Sequence, residues 1–234
     1  MRAFIQYQLL NYIRSLKFIP SFTVFGVWIF ILYAYKNVPI LSSYAVSSIA
    51  IYLTMCWVGL TLFSLEEDSE KHILFAAIKK KELFLLGKWL TALILFIPLF
   101  LLAEFFPIVT NSFKGDVSLI HYGLSFYSHL LLALLGLLVA GFFSITNLTA
   151  KRYAWLSAVF VLVVSLAERS IIESISFSKW ILWIFPPALK VIEPLSGNDS
   201  IVVRKEFFVN LLMVIFYLIA GYAVLFKLFL KKHQ

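Results

Sequence analysis

Twelve carboxylates, four histidines and a single cysteine are all that this chain offers for acid–base, nucleophilic or metal chemistry. The densest cluster is Glu66, Glu67, Asp68 and Glu70, followed directly by Lys71 and His72. Carboxylates hold a hard cation or exchange protons with a substrate only where further ligands converge on them. Here His72, His121, His129 and His233 are scattered and no H-E-x-x-H occurs, so no metal site is expected. Gly136 and Gly141 have the glycine spacing of a phosphate-cradling loop, but Phe142 and Phe143 stand where Lys and Ser or Thr are needed, inside an apolar run. Gly136, Ala140 and Gly141 read instead as small residues that let helices approach closely. Cys56 stands alone in an apolar run and reads as a small hydrophobe. No catalytic residue and no cofactor bound by the chain itself is expected.

The elements that position these groups are set by composition. The chain is 62% hydrophobic and 14% charged, with a mean hydropathy of +0.95. A soluble domain carries about 25% charged residues. The deficit implies that lipid covers much of the surface, so an all-α integral membrane protein is expected. The net charge of +8 is spread over short segments between apolar runs, which argues for membrane orientation and against nucleic acid as a partner.

A spanning helix needs about 20 mostly apolar residues. Runs at 18–35, 44–64, 89–106, 126–146 and 207–226 meet or approach that length. A sixth, 153–167, is short and then meets Glu168 and Arg169, so six spans are expected, with five plus an interfacial segment as the alternative. With both ends on one side, thirteen of the 20 Lys and Arg fall on the side of the termini and of residues 64–89. The positive-inside rule makes that side cytoplasmic; a plasma membrane of bacterial type is the expected location.

Residues 1–17 are too interrupted for a signal peptide. Polar positions 2, 6, 11, 14 and 17 against Phe4, Leu9, Leu10, Ile13 and Leu16 predict an amphipathic helix in the headgroup layer, turned into the first span at Pro20. A cytoplasmic extension of the first span is the alternative. In 168–206, the apolar piece 180–188 with Trp180 and Trp183 is too short to cross, and Pro186-Pro187 interrupts it. It predicts either a hairpin or pair of short helices dipping into the outer leaflet, or an ordinary loop, followed by a turn at 196–199. Whether 153–178 is a simple span or partly re-entrant stays open.

Glu104 falls near the outer end of its span, where a carboxylate that reaches water is expected, rather than a proton relay. Ser125 and His129, on one face of the fourth span, read as a solvated rim. Glu66-Glu67 with Lys71 faintly resembles the E-E-x-x-x-R signature of intramembrane prenyl-protein proteases. Lys is not equivalent to Arg at a bidentate site, and His121 and His129 fall a membrane thickness away, so a protease is not expected.

Residues 64–89 remain. After the acidic opening, with Asp68 or Ser69 as cap, Ile73, Leu74, Ala77 and Ile78 form a stripe, and Lys79, Lys80 and Lys81 close the segment where cations are favoured. The pattern predicts a short amphipathic helix over 70–81 that either docks a soluble partner or rests on the bilayer. The whole arrangement resembles the permease subunits of type-2 ABC exporters: an N-terminal amphipathic helix, six spans and a broken outer segment before the last. In that family an acid follows the second span, a coupling helix comes next, and Gly-Lys opens the third span. Glu66 or Glu67, the helix over 70–81, and Gly87-Lys88 correspond. Ser69-Glu70-Lys71-His72 stands where family members carry Gly-Thr and a proline.

The resemblance implies an ATPase-coupling set of Glu66, Glu67, Glu70, His72, Ile73, Leu74, Ile78, Gly87 and Lys88. It implies a dimer of ABC ATPase subunits carrying ATP and Mg, a second permease copy or a related permease, and export of an amphipathic or hydrophobic cargo. Antimicrobial-type peptides, as in immunity, lipid-linked molecules and drugs fit that description. A non-transporting membrane scaffold with a docking loop is the alternative.

Overall fold

The structure, a computed structural model, describes residues 1–78, 80–146, 149–196 and 205–232. Lys79, His233 and most of the expected turn at 196–199 lie outside the described residues. The described chain is all-helical. Its helices are α1 (Arg2–Arg14), α2 (Phe18–Leu32), α3 (Ile40–Phe63), α4 (Asp68–Ile78), α5 (Lys81–Val109), α6 (Leu119–Ile145), α7 (Ala154–Leu166), α8 (Glu168–Ser174), α9 (Lys179–Leu182), α10 (Ala188–Ile192) and α11 (Lys205–Lys232).

Four of them, α3, α5, α6 and α11, are long and apolar enough to cross a membrane. The α1/α2 and α7/α8 pairs, bent by 76° and 67°, raise the number to six if each pair is one span. The chain is therefore a multi-pass membrane protein. At 1.5 Å per residue the 29 residues of α5 extend about 44 Å, well beyond the roughly 30 Å hydrocarbon core.

The core is the α3–α6 pair, with 67% and 72% of their apolar windows buried, whereas α11 buries 17% and presents most of its surface outward. Both central helices extend past their apolar runs, and at the start of α3 the added polar residues are satisfied internally. Ser43, Ser47 and Ser48 each donate to the carbonyl three residues back, so the first turns of α3 pack without orphaned hydroxyls. At the end of the bundle remote from α4, the α2–α3 and α5–α6 connections clasp each other. Val38 N–H donates to Ser112 O at 2.9 Å and Lys114 N–H to Val38 O at 3.0 Å. Asn37 and Asn111 take the left-handed conformation beside this clasp (φ 60° and 48°), as short polar side chains tolerate.

The expected turning point after α1 moves from Pro20 to Leu16. The chain leaves α1 at Leu16, which is left-handed (φ 56°). Pro20 sits in the first turn of α2, where its missing N–H matters little, and does not make the bend. The apolar stripe expected along α1 also rotates: the face on the bundle carries Phe4, Gln8 and Tyr12, while Leu10, Ile13 and Leu16 point away.

The broken segment is not an ordinary loop. Pro186, Pro187, Ala188, Val191, Ile192 and Leu195 are buried against the bundle, where α10 packs on α6, α7 and α11. Its inserted part lies after the proline pair; Trp180 and Trp183 on the preceding stretch are exposed.

Candidate functional site

α4 starts two residues before the expected helix, and its described part ends at Ile78. Glu67 O accepts from Lys71 N–H at 3.0 Å, which begins the helical ladder. Lys80 is extended (φ −136°, ψ 118°) and caps α5, so Lys81 belongs to the next helix. The expected stripe splits in two. Leu74 and Ile78 pack inward, joined by Phe75, which the stripe omitted. Ile73 is 69% exposed, and His72, Ala76 and Ala77 share its outward side. Residues 71, 74, 75 and 78 follow the i, i+3, i+4, i+7 ridge of a helix, so the packed face was present in the spacing. The choice between two ridges was not.

Four aromatic rings fasten the inner face. Phe75 lies 5.0 Å from Phe84 of α5 and 6.2 Å from Phe229 of α11, and Phe4 of α1 lies 5.4 Å from Phe84. Tyr7 on α1 donates its hydroxyl to Glu70 Oε1 at 2.5 Å. That hydrogen bond to a carboxylate pushes the Tyr7 phenol up to about 12. Thus α1, α5 and α11 all grip α4.

Beneath it, Glu66 and Lys88 form an ion pair inside the protein. Lys88 Nζ donates to Glu66 Oε1 at 2.6 Å, to Oε2 at 2.5 Å and to Leu62 O at 2.7 Å. All three ammonium protons are engaged, and the third reaches Leu62 O in the last turn of α3, which also accepts from Leu65 N–H at 3.3 Å and where a cation is favoured. Both side chains are sealed, at 1% and 0% exposure. Glu66 and Lys88 therefore tie α3 to α5 and do not form surface contacts. Gly87 is equally internal. A Cβ there would collide with the Phe4 ring, so glycine is what lets α1 lie on α5. Of the expected docking residues, Glu67, His72 and Ile73 are exposed, Glu70 is shared with Tyr7, and Leu74 and Ile78 are anchors. Gly87-Lys88 lies inside α5, which begins at Lys81, rather than at the start of the helix.

The small residues lie at helix crossings. A Cβ on Gly136 would come 2.5 Å from Tyr52 O of α3; one on Gly59 would come 2.6 Å from Ala140 Cβ; one on Gly141 would come 2.6 Å from Leu225 of α11.

At the other end of the bundle the exposed-carboxylate and solvated-rim expectations fail. Glu104 is buried, accepting from Tyr44 Oη at 3.0 Å and Ser125 Oγ at 2.5 Å. His129 is fully buried, between Ser47 Oγ (2.9 Å to Nε2) and the Ser125 carbonyl (2.7 Å to Nδ1). Three helices, α3, α5 and α6, close over them. Apolar spacing alone gave no sign of this, because Tyr44 and Ser47 come from a helix 57 or more residues earlier than Glu104. Among the described residues no group of three or more His, Cys, Asp or Glu side chains could hold a metal ion. No protein-family model matches the chain, and no curated protein or solved structure matches it significantly.

Proposed function

We propose that this chain is the permease subunit of an ATP-driven exporter of the type-2 ABC kind, with α4 as its coupling helix. In this reading the chain crosses the membrane six times, at α2, α3, α5, α6, the bent α7/α8 pair and α11. Helix α1 lies in the cytoplasmic headgroup layer, and both termini and α4 face the cytoplasm. The distribution of Lys and Arg supports that orientation. ATP and Mg belong to separate ATPase subunits, two of which pair with two permease chains. The cargo is amphipathic or hydrophobic, in keeping with short connections and Phe-rich spans.

One observation carries the reading: α4 is gripped on one side by α1, α5 and α11 while Ile73 stands exposed on the other. A helix merely resting on lipid has no use for such anchorage. A lever needs it, because force applied at His72, Ile73, Ala76 and Ala77 passes through Phe75 and Phe84 into α5. The Glu66–Lys88 tie then carries α3 with it.

Affinity purification of the tagged chain from its native membrane, followed by mass spectrometry, tests this. An ATPase with a nucleotide-binding motif is expected in the eluate, lost with I73D, in which a charge replaces the exposed apolar contact. Recovery of a partner without any ATPase would support the scaffold reading instead. Cysteines placed at Ala77 and Gly115 test the orientation: an impermeant reagent added to intact cells labels Gly115→Cys and spares Ala77→Cys.

A further inference from the structure

We propose that Glu104 and His129 form a two-station proton-binding site inside the helix bundle, bridged by the Ser125 hydroxyl.

The observed geometry fits the proton on His129. With the proton on Glu104 a bare Nδ1 would face the Ser125 carbonyl 2.7 Å away, so the imidazole swings toward Ser125 Oγ, now 3.2 Å off, to accept from it. With His129 as imidazolium, Nδ1–H donates to the Ser125 carbonyl at 2.7 Å and Nε2–H to Ser47 Oγ at 2.9 Å. Ser47 in turn donates to Tyr44 O at 3.2 Å. Glu104 is then a carboxylate with both oxygens filled, Oε1 by the Tyr44 hydroxyl and Oε2 by the Ser125 hydroxyl. The Ser125 oxygen lies 2.5 Å from Glu104 Oε2 and 3.2 Å from His129 Nδ1, so one hydroxyl touches both stations.

Transfer needs no rearrangement of the helices. Nδ1 gives its proton to Ser125 Oγ while the serine proton passes to Glu104 Oε2, leaving neutral imidazole and a carboxylic acid. The Ser125 hydroxyl then donates to Nδ1, and the acid donates back to Ser125. Charge and proton number balance, and every donor keeps an acceptor.

The surroundings favour a proton over a larger ion. Neighbouring polar atoms already sit at hydrogen-bond distance from one another, with no gap between them for a cation. No Lys or Arg pairs with Glu104 among the described residues. An unpaired buried carboxylate is costly, and taking up a proton removes that cost. The titratable groups around the pair are Tyr44 from α3 and Tyr33 at the end of α2, which face Glu104, Tyr122 of α6, which faces Tyr44, and His121, two turns before His129 on the same side of α6 and buried with Nε2 unpartnered. Tyr33 Oη is buried with no hydrogen-bond partner. Tyr122 also lines a cleft of about 480 Å³ with Pro107, Lys114 and Asp116, which opens at this end of the bundle. The charged side chains there, Lys36, Lys114 and Asp116, are exposed on the connections.

Infrared difference spectroscopy of the full chain in lipid nanodiscs, stepped between about pH 5 and 8, reads the site directly. Wild type is expected to show a protonated carboxyl stretch that changes with pH, is absent from E104Q, and moves in frequency in Y44F and S125A as its hydrogen bonds are removed. In H129Q the same band should titrate over a different pH range, because its partner station is gone. If E104Q fails to insert, the shifts in Y44F and S125A still identify the band. A spectrum without a pH-dependent carboxyl band, or one indifferent to all of Y44F, S125A and E104Q, would overturn the proposal.

Discussion

Lys88, on the second turn of α5, reaches back to hold both oxygens of Glu66, just past the end of α3, at 2.6 and 2.5 Å. The pair closes the α3–α4–α5 corner, with the Lys88 ammonium also 5.6 Å from the Phe84 ring. Removing one partner of such a buried pair leaves an uncompensated charge and costs about 3–5 kcal/mol, whereas replacing both by apolar groups is often neutral or better. E66Q and K88M should therefore each lower the midpoint of thermal unfolding in detergent, and E66L/K88M should recover most of the loss. A double variant as unstable as the sum of the singles would contradict a paired role.

Phe75 and Ile73 belong to one short helix but should behave oppositely. Phe75→Ala removes a buried ring from the cluster with Phe84 and Phe229 and should destabilise the chain by about 3–5 kcal/mol. I73D alters a residue that is 69% exposed and should leave the unfolding midpoint within experimental scatter. Parallel melts of the two variants check this, and a large loss in I73D would mean that the outer face is packed.

The hydrogen bond from Tyr7 to Glu70 sets an alkaline limit. The Tyr7 phenol is raised to about 12 in the folded chain, first by that bond and then by burial. Between the ordinary phenol value near 10 and about 12, the folded state holds the proton that the unfolded state has lost. The contribution is present below pH ~10 and disappears as pH rises through about 12. In an ultraviolet phenolate titration, Tyr7→Phe should lose one phenol's amplitude near pH 12 relative to wild type, and Glu70→Gln should move that same amplitude to lower pH, read as a difference between each variant and wild type.

Two glycines of α6 should give opposite results. G136A drives a methyl into the Tyr52 backbone and should cost about 1–3 kcal/mol. Gly123 has nothing within 4 Å of a would-be Cβ. G123A should be neutral or stabilising by up to about 1 kcal/mol through helix propensity. Melting temperatures of the two variants decide the matter.

Much of this molecule was legible from its residues. Runs of about 20 apolar side chains define spanning helices because lipid leaves no other way to satisfy the backbone, and the charged interval at 64–89 had to leave the bilayer. The small residues Gly136, Ala140 and Gly141 marked close crossings because nothing larger fits there. Partnership was not legible. Glu66 and Lys88 read as docking contacts until α1, α3 and α5 enclosed them. Glu104 and His129 read as wetted until Tyr44 and Ser47 arrived from another helix. Local periodicity fixes which residues share a face, but a face is inside or outside only relative to neighbours that the chain brings from far along its length. Hydrogen bonds across those distances decide whether a charge is solvated or sealed.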